Sequence, residues 1–192
     1  MNKRDLITGG LAMAAFAVLG SGCTTTGSGS GDPAAQRKAI DAAVDSSLSR
    51  LYTQAIGSKE LVASARGVLV FPNFVSAGFI VGGASGQGAL QVGGKSVTYH
   101  RMTEGSVGLL AGAQSQAVFI LFMTDEALKR FTSSNGWTVG VDASVALINV
   151  GADARVNTQT GQQPVIGFVL TNSGIMGSLS LSGSRITPLN LN

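Results

Sequence analysis

The stretch GVLVFPNFVSAGFIVGGASGQGALQVGGKSVTYHRM, from Gly67 to Met102, decides the fold. Val68 to Phe71 is a short apolar run that Pro72 stops, and Ala77 to Gly86 and Gln87 to Val92 follow as further strand-like runs. Gly93-Gly94 then joins Leu90-Gln91-Val92 to Lys95–Met102, a two-residue hairpin signal because both residues tolerate positive φ. Glycine inside a strand costs about 0.5–1 kcal/mol relative to alanine. Gly78, Gly82, Gly83, Gly86 and Gly88 therefore imply strong coiling, bulges or close backbone approach. A loop wrapped around a ligand is the competing reading. The expectation is an α+β fold: a strongly curved antiparallel sheet closed into a barrel or compact sandwich, with N-terminal helices and one inserted helix packed on it.

Strands continue outward at Ser106–Gln114, Ala117–Met123, Trp137–Val150, Val165–Thr171, Ile175–Leu181 and Arg185–Pro188. The inserted helix has Thr124 as its cap, Asp125 and Glu126 in its first turn, and Ala127, Leu128 and Phe131 on one face. Upstream, Asp32-Pro33 is a helix start, an N-cap acceptor followed by a residue whose φ suits the first turn. Ile40, Val44, Leu48, Leu51 and Ala55 then recur at three and four residues as a buried stripe. The opposite face, with Arg37, Lys38, Asp41, Asp45 and Arg50, reads as solvated. Gly57 ends this helix, and Ser58 caps a short second one to about Ala65.

At the start of the chain, Lys3 and Arg4, the apolar run Leu6–Leu19 and the small residues Gly20, Ser21 and Gly22 have the order of a secretory signal. The run is shorter than the roughly 20 apolar residues a spanning helix needs. Cys23, the chain's one cysteine, stands at the junction, where a thiol accepts a diacylglyceryl group. Residues 1–22 are thus expected to be a lipoprotein signal peptide, with Cys23 as the lipidated residue and 23–32 as a flexible Thr/Ser/Gly tether. The domain follows over 33–192, a helical lead at 33–65 and a Gly-rich β part at 66–192. Cleavage after Ala17, using Ala15 and Ala17, gives a soluble secreted protein instead. The expected address is the cell envelope, at the outer membrane facing the periplasm or the surface; Thr24 after the cysteine is compatible with outer-membrane sorting.

The 13 basic and 10 acidic residues of the chain, less Lys3, Arg4 and Asp5, leave a nearly balanced domain. Phosphate-dominated nucleic-acid binding has little support. With His100 the only histidine, a multi-histidine metal site is excluded. No metal and no cofactor are expected. Gly93-Gly94-Lys95-Ser96 looks like the end of a phosphate loop, but Ala89 stands where its first glycine belongs and the segment lies in a hairpin. No serine occupies a Gly-x-Ser-x-Gly elbow, and the carboxylates are scattered singly. His100 with Glu104 or Asp142 is therefore read as structural, with no catalytic residue expected. Trp137 is read as core.

Four ordered segments carry a family resemblance. They are Ala63–Pro72; Ala77–Gly83 with Gly86 and Gly88; Ala127-Leu128 with Phe131 and Ser134–Trp137; and Gly174–Ile186. Together they resemble the SYLF domain, a family of lipid-binding and, in yeast, actin-binding proteins that includes bacterial lipoproteins. Ser76, Ser182 and Arg185 depart from its common Lys, Glu and Lys. The resemblance implies a non-enzymatic phospholipid-binding domain whose partner is anionic phospholipid or membrane surface. A protein-interaction module of the actin-binding kind, facing the envelope or a host, is the alternative. By position, the resemblance makes Arg37, Lys38, Arg50, Lys59 and Arg66 the lipid-binding candidates.

Overall fold

Successive residues of the central strands are buried on alternate faces of one sheet, which is why their sequences read as unbroken apolar runs. Val68 and Val70 enter one core cluster and Leu69 and Phe71 the other. Ala117, Phe119 and Leu121 divide in the same way from Val118, Ile120 and Phe122. The computed structural model describes residues 32–78, 81–107, 112–150, 163–171 and 181–191. The signal segment, Cys23 and the tether up to residue 31 lie outside the described residues, as does the expected strand Ile175–Leu181 apart from Leu181.

Two helices precede the sheet, α1 (Pro33–Gln54) and α2 (Ser58–Ser64). The strands are β1 (Gly67–Gly78), β2 (Val81–Val92), β3 (Lys95–Val107) and β4 (Gly112–Phe122), then after α3 (Asp125–Thr132) β5 (Trp137–Thr138), β6 (Ala146–Val150), β7 (Val165–Thr171) and β8 (Arg185–Pro188). They form one sheet in the order β5-β8-β3-β2-β1-β4-β7-β6, antiparallel throughout except for the parallel pair β6 and β7.

This corrects the expectation of closure: the sheet is a curved, open half-barrel. Among the described residues the edge strands β5 and β6 do not pair with each other. β5 is two residues long because the expected strand Trp137–Val150 is broken by a turn. Gly140 sits at φ +84°, and the Thr138 backbone N–H donates to the Asp142 carboxylate. Pro72 does not stop β1, which passes through it as a bulge; the register with both neighbours shifts between Val70 and Val75. Gly86 and Gly88 lie across from that bulge. A Cβ at Gly86 would stand 2.8 Å from the Asn73 carbonyl oxygen, and one at Gly88 would fall on the Val70 carbonyl oxygen. Close backbone approach is thus the reason for these two glycines.

Helices cover both faces. The stripe Ile40, Val44, Leu48 and Leu51 of α1, continued by Ala55 at its C-cap, is buried on the face of Val68, Val70, Phe119 and Phe168. On the other face Phe131 of α3 packs with Phe122 and Trp137, whose rings lie 4.9 and 5.7 Å away. Asp32 caps α1 by accepting from the Ala34 N–H at 3.0 Å, with Pro33 in the first turn. Thr124 caps α3 from the Ala127 N–H at 3.2 Å. Ser58 acts differently from the expected cap: Gly57, at φ +84°, precedes α2, and the buried Ser58 hydroxyl donates to the Leu51 carbonyl. That bond ties α2 to the end of α1.

Candidate functional site

The polar side of α1 is not simply solvated, because four of its residues reach the sheet or the chain's last described residues. Gln36 donates to Gln87 at 3.0 Å, Asp41 accepts from the Tyr99 hydroxyl at 3.0 and 3.2 Å, and Asp45 accepts from Gln91 at 3.3 Å. Gln36 beside Gln87 and Asp45 beside Gln91 show that α1 runs along β2 toward the Gly93-Gly94 hairpin. Arg37 turns the other way and donates from Nη1 to the Leu191 carbonyl at 2.7 Å.

Arg37 thereby forms one wall of a groove of about 380 Å³. Ser96, Val97, Thr98 and Tyr99 of β3 form another wall, and Pro188–Leu191 closes it. The Leu189 N–H donates to the Tyr99 carbonyl at 2.8 Å, and Leu191 is buried in the α1 cluster, so this segment is fixed at two points. Burial raises the Tyr99 phenol above its ordinary pKa, the hydrogen bond and charge of Asp41 add to the rise, and the Arg37 charge opposes it. A second groove of about 320 Å³ lies on the other side of α1, between Gln36, Ala39, Ile40 and Ala43 and the β1 bulge at Pro72-Asn73.

The five basic candidates do not form one patch. Arg37 and Lys38 stand in the first turns of α1, and Arg50 lies about 20 Å further along it at 1.5 Å per residue. Arg50, Lys59 on α2 and Arg66 at the entry to β1 share the hairpin end of the sheet, where Gln91 pairs with Val68. Arg66 approaches Asp125 at 3.6 Å, with both side chains largely solvated at 60% and 77% exposure. Such a pair contributes little to stability. Lys95, exposed beside the hairpin glycines, joins the same end and was not among the candidates. Tyr99, Ser96 and Asn190 of the Arg37 groove, and Asp41, which holds the Tyr99 hydroxyl, also escaped sequence reading. They come from segments with no local motif, and Asp41 reads in sequence as an ordinary solvated charge.

His100 is a core residue. It is buried, its Nε2 lies 2.9 Å from the Thr98 hydroxyl, and its ring centroid is 5.0 Å from that of Phe131. Glu104 instead accepts from the buried Ser184 hydroxyl at 2.9 Å. Burial raises its pKa, and that hydrogen bond partly offsets the rise. Among the described residues no group of three or more His, Cys, Asp or Glu is placed to hold a metal ion, and no helix is long and apolar enough to cross a membrane.

Burial lowers His100 from 6.5 to about 4. Below pH 6.5 the unfolded chain takes up a proton that the folded chain refuses until about pH 4, so acid favours unfolding. Stability is complete above 6.5 and falls through that window by about 1.4 kcal/mol per pH unit at most, about 3 kcal/mol in total. Urea denaturation at pH 7.0 and 4.5 is expected to show this loss. His100→Gln, which keeps a partner for Thr98 but does not titrate, is expected to flatten the profile. An unchanged pH dependence in the variant would assign the acid loss to other groups.

Compared with curated proteins, the chain has no match. The family comparison covers β3 from Thr103 onward, then β4, α3 and β5 to β8, so it includes the third and fourth of the ordered segments and leaves out the first two. Across these residues, 103–190, the chain is similar to the Ysc84 family, described as Las17-binding protein actin regulator, a partial match to the family that the ordered segments resemble.

Proposed function

We propose that this protein is a non-enzymatic phospholipid-binding module of the cell envelope, held at a membrane by a lipid on Cys23. The observation that carries the reading is the Arg37 groove: a half-buried guanidinium in a polar cleft, closed by Pro188–Asn190 from the segment similar to the Ysc84 family. Lys3, Arg4, the Leu6–Leu19 run and Cys23 support the anchor and the envelope address. A tether raises the effective concentration of the domain at the bilayer, so weak affinity suffices.

The domain is expected to float with vesicles of phosphatidylglycerol at 0.1 M salt and to be released near 1 M, as the screening length falls from about 10 Å to about 3 Å. Each Lys or Arg close to an anionic surface contributes about 1 kcal/mol. Replacing two basic residues by Gln at the engaged end therefore cuts retention by an order of magnitude or more. The pairs Arg37/Lys38 and Lys59/Arg66 separate the two ends of α1. Absence of retention at low salt overturns the phospholipid reading. Intact mass of the membrane-extracted protein tests the anchor: acyl mass on a chain beginning at Cys23, lost in Cys23→Ser.

The similarity to a family of actin regulators favours a second reading, a protein-interaction module without lipid recognition. Co-sedimentation with filamentous actin, together with failure to float, would select it.

A further inference from the structure

Alternation along β3 and β8 sends four polar residues to one face of the sheet. Met102 and Ile186 enter the core beneath α3, whereas Tyr99 and Leu189 pack into the core beneath α1. Arg101, Thr103, Arg185 and Thr187 therefore project on the α1 side. Arg101 is paired with Thr187 and Thr103 with Arg185, so the two arginines stand at diagonal corners of a square. Cβ atoms at such corners are roughly 7–8 Å apart. Both arginines are exposed, and among the described residues neither pairs with a carboxylate. The carboxylates of the surrounding elements are engaged elsewhere. Asp41 accepts from the Tyr99 hydroxyl, Asp142 from the Thr138 N–H, and Glu104, on the other face, from Ser184.

Gly136 fixes where one guanidinium lies. A Cβ there would stand 2.8 Å from Nη2 of Arg185 and 3.3 Å from its Cζ, so the guanidinium occupies the space a side chain would fill. Trp137 pairs with Ile186 and Thr138 with Arg185; Gly136, one residue earlier, thus stands beside Thr187. Arg101 flanks Thr187 from the strand on its other side. Thr187 is half-buried, and its hydroxyl has no hydrogen-bond partner among the described residues. Two like charges converge on one free hydroxyl with no counter-charge between them.

We propose that Arg101, Thr187 and Arg185 form a binding site for a phosphate monoester, separate from the Arg37 groove. Neighbouring strands are about 4.8 Å apart, so a phosphate seated over Thr187 has a guanidinium on each side. Each guanidinium offers parallel N–H donors to phosphate oxygens, and the Thr187 hydroxyl adds another donor. A monoester brings three terminal oxygens and a charge of about −1.5 to −2 at neutral pH, which two opposed cations match. A diester brings two such oxygens and a single charge. The site goes beyond the proposed membrane role, because it rests on the register of β8 and on Gly136 rather than on α1 or Cys23.

Amide chemical shifts of the full chain at pH 7.5 and low salt, titrated with glycerol 3-phosphate and with dimethyl phosphate, test the site. Saturable shifts are expected at Arg101, Thr187 and Arg185, with the monoester bound at least about tenfold more tightly than the diester. Arg101→Gln and Arg185→Gln are each expected to weaken the monoester by about tenfold or more, with urea midpoints unchanged because both side chains are exposed. Gly136→Ala displaces the Arg185 guanidinium while keeping its charge, and is expected to weaken the monoester several-fold. Arg37→Gln is expected to leave it bound. No saturable shift, equal affinity for the two esters, binding that survives both arginine substitutions, or loss in Arg37→Gln alone overturns the site. The same group occurs on a lipid and on soluble esters, and flotation on phosphatidic acid against phosphatidylglycerol vesicles separates these sources. A preference for phosphatidic acid that both arginine variants lose assigns the lipid, and soluble binding without that preference assigns the free ester. Vesicle preference without soluble binding overturns the site. Failure to float on either vesicle counts against the phospholipid reading and leaves the soluble titration to decide this site.

Discussion

Gly88→Ala is expected to remove about 3–5 kcal/mol of stability, a large share of the roughly 5–15 kcal/mol that holds a domain folded. Gly88 is buried in β2, where β1 bulges around Pro72. An added Cβ would fall on the Val70 carbonyl oxygen and stand 2.8 Å from both the Val70 carbonyl carbon and Phe71 Cδ1. A ring can rotate away, but the carbonyl belongs to a strand paired on both sides, Val70 with Ala89 and with Phe119. Relief therefore requires β1 to separate from β2, which disturbs both core clusters together. Gly105→Ala is the control. Gly105 lies in β3 with nothing within 4 Å of its added Cβ, and a change within about 0.5 kcal/mol is expected. Guanidinium denaturation of the two variants checks the contrast; comparable midpoints would show that β1 yields locally and that close approach does not explain the glycine.

That contrast also marks how far the sequence could be read. The five-residue stripe of α1, the Asp32-Pro33 start, the Thr124 cap and the Gly93-Gly94 hairpin are local signals. Each depends on residues within a turn or two, and each is realised in the structure. The glycines of β2 indicated close approach or a bulge without saying which strand approached. Closure was misread because it depends on whether β5 and β6 meet, and that is decided by the Gly140 turn and by the choice of β8 and β7 as partners. The Arg37 groove was the least legible part. Its walls come from α1, β3 and residues 188–191, and the assembly rests on one guanidinium choosing a carbonyl 154 residues away over the carboxylate next to it on the helix. The basic candidates were read as one set, but the length of α1 divides them between two ends.

Phe131→Ala is the second large effect, expected to cost about 3–5 kcal/mol, the range for truncating a buried aromatic. Phe131 is 2% exposed and is the buried residue through which α3 docks on the sheet. Its ring stacks on Phe122 at 4.9 Å, meets Trp137 edge-on at 5.7 Å and lies 5.0 Å from His100. Truncation opens a space between these three rings and leaves only the partly buried Ala127 and Leu128 to hold a helix of eight residues on this cluster, too short to be stable alone. Two signals are expected beside the loss of stability. Trp137, the single tryptophan, shifts its emission to the red as water reaches the indole. His100 loses the ring that helps desolvate it, so its pKa rises from about 4 toward 6.5 and the acid-sensitive window narrows. Phe131→Leu refills most of the volume and is expected to cost less than about 1.5 kcal/mol with neither signal. If Phe131→Ala unfolds at the wild-type denaturant midpoint with unshifted emission, α3 is held by something other than this aromatic cluster. If stability falls while the His100 titration stays put, the histidine is desolvated by the sheet itself rather than by α3.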